Sequence, residues 1–221
     1  SDLEKQVDAG HSLIILSDRG LTETNAAIPA LLATSGVHHF LVQKGKRHLS
    51  GLVVETGEAR EVHHFATLVS FGASGINPYL AFETMAVMQE SGYISASFTH
   101  EQMVEHYVTA IKKGLLKIMS KMGISTIRSY RGSQIYEAVG LANDFIDQYF
   151  NGTQSRIGGI GIATVERDTI ERHREAFFPR EGNLPAIESG GMLHHRKGSE
   201  QHLFSPEALT LLQKATREDD Y

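Results

Sequence analysis

Asp18 and Arg19 are the first residues in the sequence whose types and position could do chemistry. They follow the apolar run 13–16, which is typical of a buried parallel strand. Because ligand crevices lie at the carboxyl ends of parallel strands, the pair is a candidate binding or catalytic site. The alternative, which we favour, is a structural turn. In that turn Asp18 accepts hydrogen bonds from nearby N–H groups, and Arg19 pairs with Glu55 or Glu58.

A second candidate is the glycine run Gly158, Gly159 and Gly161, which precedes a helical segment. Backbone N–H groups in such a run can face a phosphate. A dinucleotide fingerprint, however, also needs a preceding strand and the spacing G-x-G-x-x-G, which this run lacks. We therefore favour a flexible interdomain loop over a phosphate site.

Histidines form adjacent pairs at 38–39, 63–64 and 194–195. Neighbouring residues on a helix point roughly 100° apart, so an adjacent pair cannot hold one ion as residues i and i+4 can. His100 and Glu101 resemble the start of a zinc-protease helix, but Val104 stands where the second histidine belongs. Spacing alone assembles no triad of serine, histidine and acid.

The remaining candidate metal cluster is His194, His195, Glu200 and His202. Zinc sites demand a closed tetrahedral set of ligands, and the irregular sequence around these residues gives no sign of fixing one. A solvated or domain-packing role is the favoured interpretation. We assign no catalytic, cofactor-binding or metal-ligating residue.

The elements that must position these residues begin with a β-α-β unit. The runs 13–16 and 49–55 predict parallel strands, and Pro29 opens the helix between them, which Gly45 ends. A third strand is predicted at 124–127. The buried side of the first helix is predicted to carry Ala30, Leu31, Ala33, Val37 and Leu41, and Ile14 and Val53 are predicted to be buried on adjacent strands.

Further helices follow from apolar residues at three- and four-residue spacing. Thr99 and Gln102 form a capping-box pattern before a long helix, in which Gly114 indicates close packing. The remaining predicted helices cover 62–72, 78–92, 133–139, 143–150, with Asn143 as cap, and 164–178, and a last one begins at Pro206.

The predicted fold class is α/β, with a short parallel sheet of about three strands and flanking helices. A helical and irregular C-terminal region follows. The glycine-rich loop 151–161 predicts a boundary between domains 1–152 and 153–221. We expect the apolar helix faces beyond this boundary to pack back on the first domain or to mediate self-association.

Composition excludes several classes of protein. The formal net charge of −5 disfavours a nucleic-acid partner, because such binding draws on clustered Lys and Arg. No apolar run reaches the roughly 18–20 residues of a membrane span, and the N-terminus has no signal-peptide layout. A sequence of 221 residues without cysteine is compatible with one or two cytoplasmic domains, which is our expectation.

Collinear segments cover nearly the whole chain, the longest being 113–126 and 129–141. In the order of their residues, these segments resemble the large subunit of glutamate synthase. Local departures from the family occur at Gln154, at Met192 with Leu193 and at Ser199. Other matching segments are 17–19, 28–33, 53–65, 72–81, 152–159 and 194–206.

The resemblance implies a parent enzyme of glutamate biosynthesis and ammonia assimilation. It hydrolyses glutamine at an N-terminal cysteine and passes ammonia to 2-oxoglutarate. Electrons from FMN, in a barrel that also carries an iron–sulfur cluster, then reduce the product to a second glutamate. By this resemblance residues 1–152 are the C-terminal part of the central domain, and 153–221 are the incomplete N-terminal entry of the FMN domain.

A chain without cysteine supplies neither that nucleophile nor the cluster ligands. We therefore expect an inactive, structural fragment without cofactors of its own, whose partners are the remaining domains of glutamate synthase. One alternative is a stand-alone binding or interaction protein that reuses the central-domain fold. Another is a small-ligand enzyme that uses the crevice at Asp18.

Overall fold

The computed structural model describes residues 2–178, 195–196 and 201–219. These residues divide between two compact units, Ser1–Arg174 and Glu175–Tyr221. The elements, in chain order, are α1 (Asp2–Asp8), β1 (Leu13–Ser17), α2 (Ala30–Gln43), a 3-10 turn (Arg47–Leu49), β2 (Gly51–Glu55), α3 (Val62–Ser70), β3 (Gly75–Asn77), α4 (Tyr79–Glu90), α5 (His100–Lys121), α6 (Ile127–Tyr130), β4 (Glu137–Leu141), α7 (Asn143–Tyr149), β5 (Gln154–Ile160), α8 (Ile162–Phe177) and α9 (Pro206–Glu218).

A parallel sheet of three strands in the order β1-β2-β3 is the framework of the first unit. Ile14 of β1 lies opposite Leu52 of β2, and Val54 of β2 lies opposite Ile76 of β3. Helix α2 connects β1 to β2 and begins directly after Pro29. The α/β class and the β-α-β unit are therefore confirmed.

The predicted third strand at 124–127 is wrong. The third strand of the sheet is β3, whose three residues are too few to form a recognisable apolar run. At Thr126 the side chain accepts a hydrogen bond from the Ser129 N–H and starts the single turn α6. Capping by a threonine hydroxyl thus prevails over the strand preference of its β-branched side chain.

The helix predicted at 133–139 and the loop predicted at 151–161 are also wrong. Their residues include β4 and β5, which form a separate parallel pair with register shifts. Gly140 has φ +78°, and Gly159 lies so close to the Gly140 backbone that no Cβ fits there. Gly159, one of the glycines that indicated a loop, is instead required by the close approach of the two strands.

Helix α2 is buried on several sides, and this corrects part of its predicted buried side. Ala30 and Leu41 are buried as predicted, but Leu31, Ala33 and Val37 are only half-buried. The other buried positions are Leu32, Thr34 and Ser35. The Thr34 hydroxyl donates to the Ala30 carbonyl at 2.7 Å, and the Ser35 hydroxyl donates to the Tyr149 carbonyl at 2.6 Å.

Helix α5 begins as predicted, with a complete capping box between Thr99 and Gln102. The predicted close packing at Gly114 is confirmed, because a Cβ there would lie 2.5 Å from Val62 Cγ2 of α3. Helix α7 is confirmed as a helix, although its N-cap is Ala142 and Asn143 is its first residue.

The two faces of the three-stranded sheet differ sharply. Ile14 and Leu52 pack with Val7 and Leu41, so burial of Ile14 is confirmed. Val53 points to the opposite face and is only half-buried, which corrects the prediction. On that face Leu13 and Ile15 are 55% and 58% exposed.

In the second unit, α9 is capped by Ser205, whose hydroxyl accepts from the Ala208 N–H, with Pro206 in its first turn. The last predicted helix is therefore confirmed. The predicted irregular segment 179–200 lies outside the described residues except for 195–196. The domain boundary at 152/153 stays a prediction.

Candidate functional site

The carboxyl edge of the three-stranded sheet holds the predicted site. Asp18 and Arg19 directly follow β1, and Glu55 and Asn77 end β2 and β3. Beside them lies a cleft of about 440 Å³, with a wall that includes residues 17–21 and the loop 25–28. The fold therefore places Asp18 and Arg19 where ligands of parallel sheets commonly bind.

Glu55 is the centre of a hydrogen-bond network at this edge. Its carboxylate accepts from Ser17 Oγ at 2.6 Å, from Arg19 Nε at 2.9 Å and from Asn77 Nδ2 at 3.1 Å. The bonds from Ser17 and Arg19 lower the pKa of Glu55, which keeps its carboxylate ionised. A carboxylate held in this way orders the strand ends and is a poor proton donor.

Arg19 is fixed by several partners at once. Besides Glu55, its guanidinium approaches Glu83 Oε1 at 3.4 Å and lies 3.9 Å from the centre of the Tyr79 ring. Burial and a hydrogen bond with Asp18 raise the pKa of Tyr79 to about 12, so its hydroxyl keeps its proton at neutral pH.

Asp18 and Glu58 bind backbone donors. Asp18 accepts from the Gly57 N–H at 3.0 Å and from Thr56 Oγ1 at 2.6 Å. Glu58 accepts from the Ala30 N–H at 2.7 Å, which places a carboxylate at the N-terminus of α2. Arg19 pairs with Glu55, as the structural-turn interpretation predicts, and not with Glu58, whereas the donors to Asp18 come from the loop after β2 and not from its own turn. The choice between a structural turn and a binding site at Asp18 stays a prediction.

The histidine pairs 38–39 and 63–64 make local contacts. His38 and His39 make an edge-to-face contact with 5.1 Å between ring centres, and His38 Nδ1 accepts from Arg47 Nε at 3.0 Å. His63 contacts the Tyr136 ring, and the His64 ring accepts from the Arg60 N–H. These contacts give each histidine a partner other than a metal.

No cluster of three metal-ligating side chains occurs among residues 2–178, 195–196 and 201–219. Of the candidate cluster, His194 and Glu200 lie outside the described residues, while His195 and His202 lie within them. The metal interpretation of this cluster therefore remains untested. Gly158 and Gly159 belong to β5, a strand, and Gly161 follows it.

Sequence reasoning missed a basic pocket at the opposite, amino edge of the sheet. Arg47, Arg128 and Arg131 line a cavity of about 700 Å³ together with Ser50 and Ser74. Arg47 is distant in sequence from Arg128 and Arg131, so their spacing gave no signal for a shared pocket. One weak signal was available, because a serine precedes each strand of the three-stranded sheet, at Ser12, Ser50 and Ser74.

Two apolar surfaces were also not predicted. One is the open sheet face with Leu13 and Ile15. The other is a cleft of about 760 Å³ whose wall includes Val37 of α2 and Val165 of α8. Within the described part of the chain, no helix combines the length and the apolar character needed to span a membrane.

Comparison with known proteins gives a consistent result. The family model described as "Glutamate synthase central domain" matches residues 1–142. The chain is 46% identical over 218 residues to the glutamate synthase [NADPH] large chain of Bacillus subtilis, with 99% of this chain covered. It is 38% identical over 219 residues to the glutamate synthase [NADH] of Schizosaccharomyces pombe, covering 98% of this chain.

A third relative is the chloroplastic ferredoxin-dependent glutamate synthase of Spinacia oleracea, 39% identical over 225 residues and 97% of this chain. The chain spans only 14%, 10% and 14% of the lengths of these three proteins. It therefore corresponds to one part of each of them.

Proposed function

Because the chain belongs to the glutamate synthase central-domain family, we propose that it is a structural segment of a glutamate synthase large chain. The parent enzyme would convert glutamine and 2-oxoglutarate to two molecules of glutamate with electrons delivered by FMN. This segment would join the glutamine-hydrolysing site to the flavin site. The remaining domains of the same polypeptide would be its main partners.

The open sheet face is the observation that carries this proposal. Parallel sheets in α/β proteins are covered on both faces. Here helices cover the side of Ile14 and Leu52, while Leu13 and Ile15 on the other side are more than half exposed. Relatives of this chain continue well beyond the matched segment, so the parent polypeptide has ample sequence to cover that face.

The carboxyl edge supports a structural role over a catalytic one. Asp18, Glu55 and Glu58 are each bound by donors from neighbouring strands or from the start of α2. Catalytic acids and bases need a proton that they can exchange near neutral pH. The network instead holds the strand ends in fixed positions.

The cofactors of the parent would be bound by other domains. Iron–sulfur clusters are held by cysteine thiolates, and this chain has no cysteine. We also assign no FMN contact to it. FMN would supply the reducing electrons in the parent, and this segment would contribute no ligand to FMN or to the cluster.

The exposed side of α9 is a further surface that the parent domains would cover. Leu209, Leu211 and Leu212 are 41%, 68% and 57% exposed. Apolar side chains clustered in this way commonly mark contact sites. Self-association of the isolated chain through such surfaces is the alternative, and its oligomeric state at increasing concentration would reveal it.

The proposal is tested by comparing the isolated chain with the parent enzyme. The purified chain should show no flavin absorbance and no glutamate formation. In the parent, Ile15→Asp should reduce 2-oxoglutarate-dependent glutamate synthesis, because the charge would disturb a buried domain contact. In the isolated chain the same change should lower the thermal midpoint by only a few degrees, because Ile15 is already 58% exposed there.

Leu116→Asp is the matched control, because Leu116 is 62% exposed and lies on α5 instead of on the sheet. It should leave synthesis unchanged in the parent. Flavin bound to the isolated chain, or normal synthesis in parent Ile15→Asp, would contradict the proposal.

A further inference from the structure

The basic pocket at the amino edge of the sheet is unlike the carboxyl edge. Three arginines line its cavity of about 700 Å³, and none of the Asp and Glu side chains of the described residues lines it. The whole chain carries a formal net charge of −5, so this concentration of positive charge is a local exception. Uncompensated cations in a concave site attract anions.

Arg47 lines the pocket and is held by three hydrogen-bond acceptors. Its guanidinium donates to the Ser50 carbonyl at 2.6 Å and to the Gly72 carbonyl at 2.7 Å, and its Nε donates to His38. Burial and the nearby charge of Arg131 lower the pKa of Arg47, whose guanidinium is already engaged by these carbonyl acceptors.

The positive charges of Arg128 and Arg131 are not neutralised by a carboxylate within the described residues. Arg131 Nη1 donates to Ser74 Oγ at 2.9 Å, which aims its guanidinium at the start of β3. Within the described part of the chain, neither Arg128 nor Arg131 forms an ion pair. Two guanidinium groups therefore lie at the pocket without a carboxylate partner among the described residues.

The Ser50 hydroxyl is a second, independent observation. Ser50 is 6% exposed and lines the pocket, and its Oγ has no hydrogen-bond partner. Thr153 Oγ1 is the other buried polar side-chain atom without a partner in the described residues. An unpaired buried hydroxyl is costly, and in native proteins it commonly indicates a missing ligand or water.

We propose that this pocket binds a small oxyanion, a phosphate or a carboxylate, through Arg128, Arg131 and the Ser50 hydroxyl. Guanidinium groups match both kinds of oxyanion with paired N–H donors. A hydroxyl donor beside them adds a directed bond that a purely electrostatic patch lacks. The site is separate from the Asp18 network, because it lies at the opposite end of the same strands.

The test uses the full chain at constant ionic strength and two probes, inorganic phosphate and succinate. Isothermal titration calorimetry should show saturable binding of at least one probe, and the tighter one identifies the class of oxyanion. Arg128→Gln should weaken this binding at least tenfold. Since Arg128 has no hydrogen-bond or ionic partner in the described structure, this variant should keep the wild-type circular dichroism spectrum.

Ser50→Ala and Arg131→Lys refine the test. Ser50→Ala should weaken binding several-fold, and Arg131→Lys should do the same because it keeps the charge but loses the paired donors. Arg156→Gln is the matched control, because Arg156 is 77% exposed and pairs with Glu137 on the separate β4-β5 sheet. It should bind as the wild type does.

Two results would overturn the proposal. One is the absence of saturable binding of either probe. The other is equal weakening by Arg156→Gln and Arg128→Gln, which would show that only overall charge matters.

Discussion

Two neighbouring isoleucines offer a direct test of the sheet's two faces. Ile14 is 9% exposed and packs against Val7, Leu41 and Leu52. Ile15, the next residue of the same strand, points to the opposite face and is 58% exposed. The substitutions Ile14→Ala and Ile15→Ala therefore remove the same atoms from a covered and an uncovered surface.

The expected free-energy changes differ several-fold. Truncating a buried Ile to Ala costs about 2–5 kcal/mol, which combines lost burial with the cavity left behind. Complete burial of an Ile side chain contributes about 1.5–3 kcal/mol, so the less-than-half-buried Ile15 should lose about 1 kcal/mol or less. No enclosed cavity forms at Ile15, because its face is open.

Urea unfolding of the isolated chain, followed by circular dichroism, measures both changes. For a chain of this size each kcal/mol shifts the thermal midpoint by about 2–4 °C, which gives an independent check. The m-values should stay equal, since neither change alters the surface exposed on unfolding.

Equal destabilisation by the two substitutions would refute the assignment of the faces. A neutral Ile14→Ala would refute the strand packing itself. In the parent enzyme, the cost of Ile15→Ala should rise towards that of Ile14→Ala, because the proposed domain contact would bury the side chain there.

The remaining predictions concern a tight helix contact, a buried histidine and a cap. Gly114→Ala should destabilise by about 1–3 kcal/mol in urea unfolding, although alanine is normally the better helix former, because its Cβ would meet Val62; adding Val62→Ala should recover most of the loss. Burial and the Arg47 charge lower the pKa of His38 from 6.5 to about 4, so the unfolded chain takes up this proton first. Stability should therefore fall as the pH decreases from 6.5 to 4, and a His38→Asn variant should show a smaller fall in its urea midpoint; equal falls would contradict this. Thr99→Ala should cost about 1 kcal/mol by loss of the capping box, and an unchanged midpoint would contradict that role.

The sequence predicted those elements whose signals are local. The strands β1 and β2 contain uninterrupted apolar runs, and Thr99 carries its own capping partner three residues later. The strand β4 was missed because residues 133–139 were predicted as a helix, and β5 was missed because glycines such as Gly159 resemble loop residues. Gly159 is instead needed where the two strands approach each other closely, which is a property of the folded chain.

The candidate sites were likewise predictable only where their sequence signals are local. The role of Asp18 as a hydrogen-bond acceptor was predictable, because short acidic side chains after a strand commonly bind backbone donors. Its actual donors were not, because Thr56 and Gly57 come from the loop after β2. The basic pocket was not predictable, because Arg47 and Arg128 are brought together only by the order of the strands and by α6. The open sheet face also needed the structure, since an apolar run looks the same whether one face or both are covered.

The comparisons also lead to a prediction about the electron donor. The names of the three relatives specify NADPH, NADH and ferredoxin, yet the chain is 46%, 38% and 39% identical to them over nearly its whole length. A segment that selected the donor would be expected to resemble one kind far more than the others.

We therefore expect that replacing the matching segment of the Bacillus subtilis large chain with this sequence preserves the preference for NADPH. The matched control replaces that segment with the corresponding one of the spinach protein, which should give the same preference. Rates of glutamate synthesis with NADPH and with reduced ferredoxin measure the outcome. A change of donor in the chimaera carrying this sequence would show that the segment takes part in electron delivery, and its role would then extend beyond joining domains.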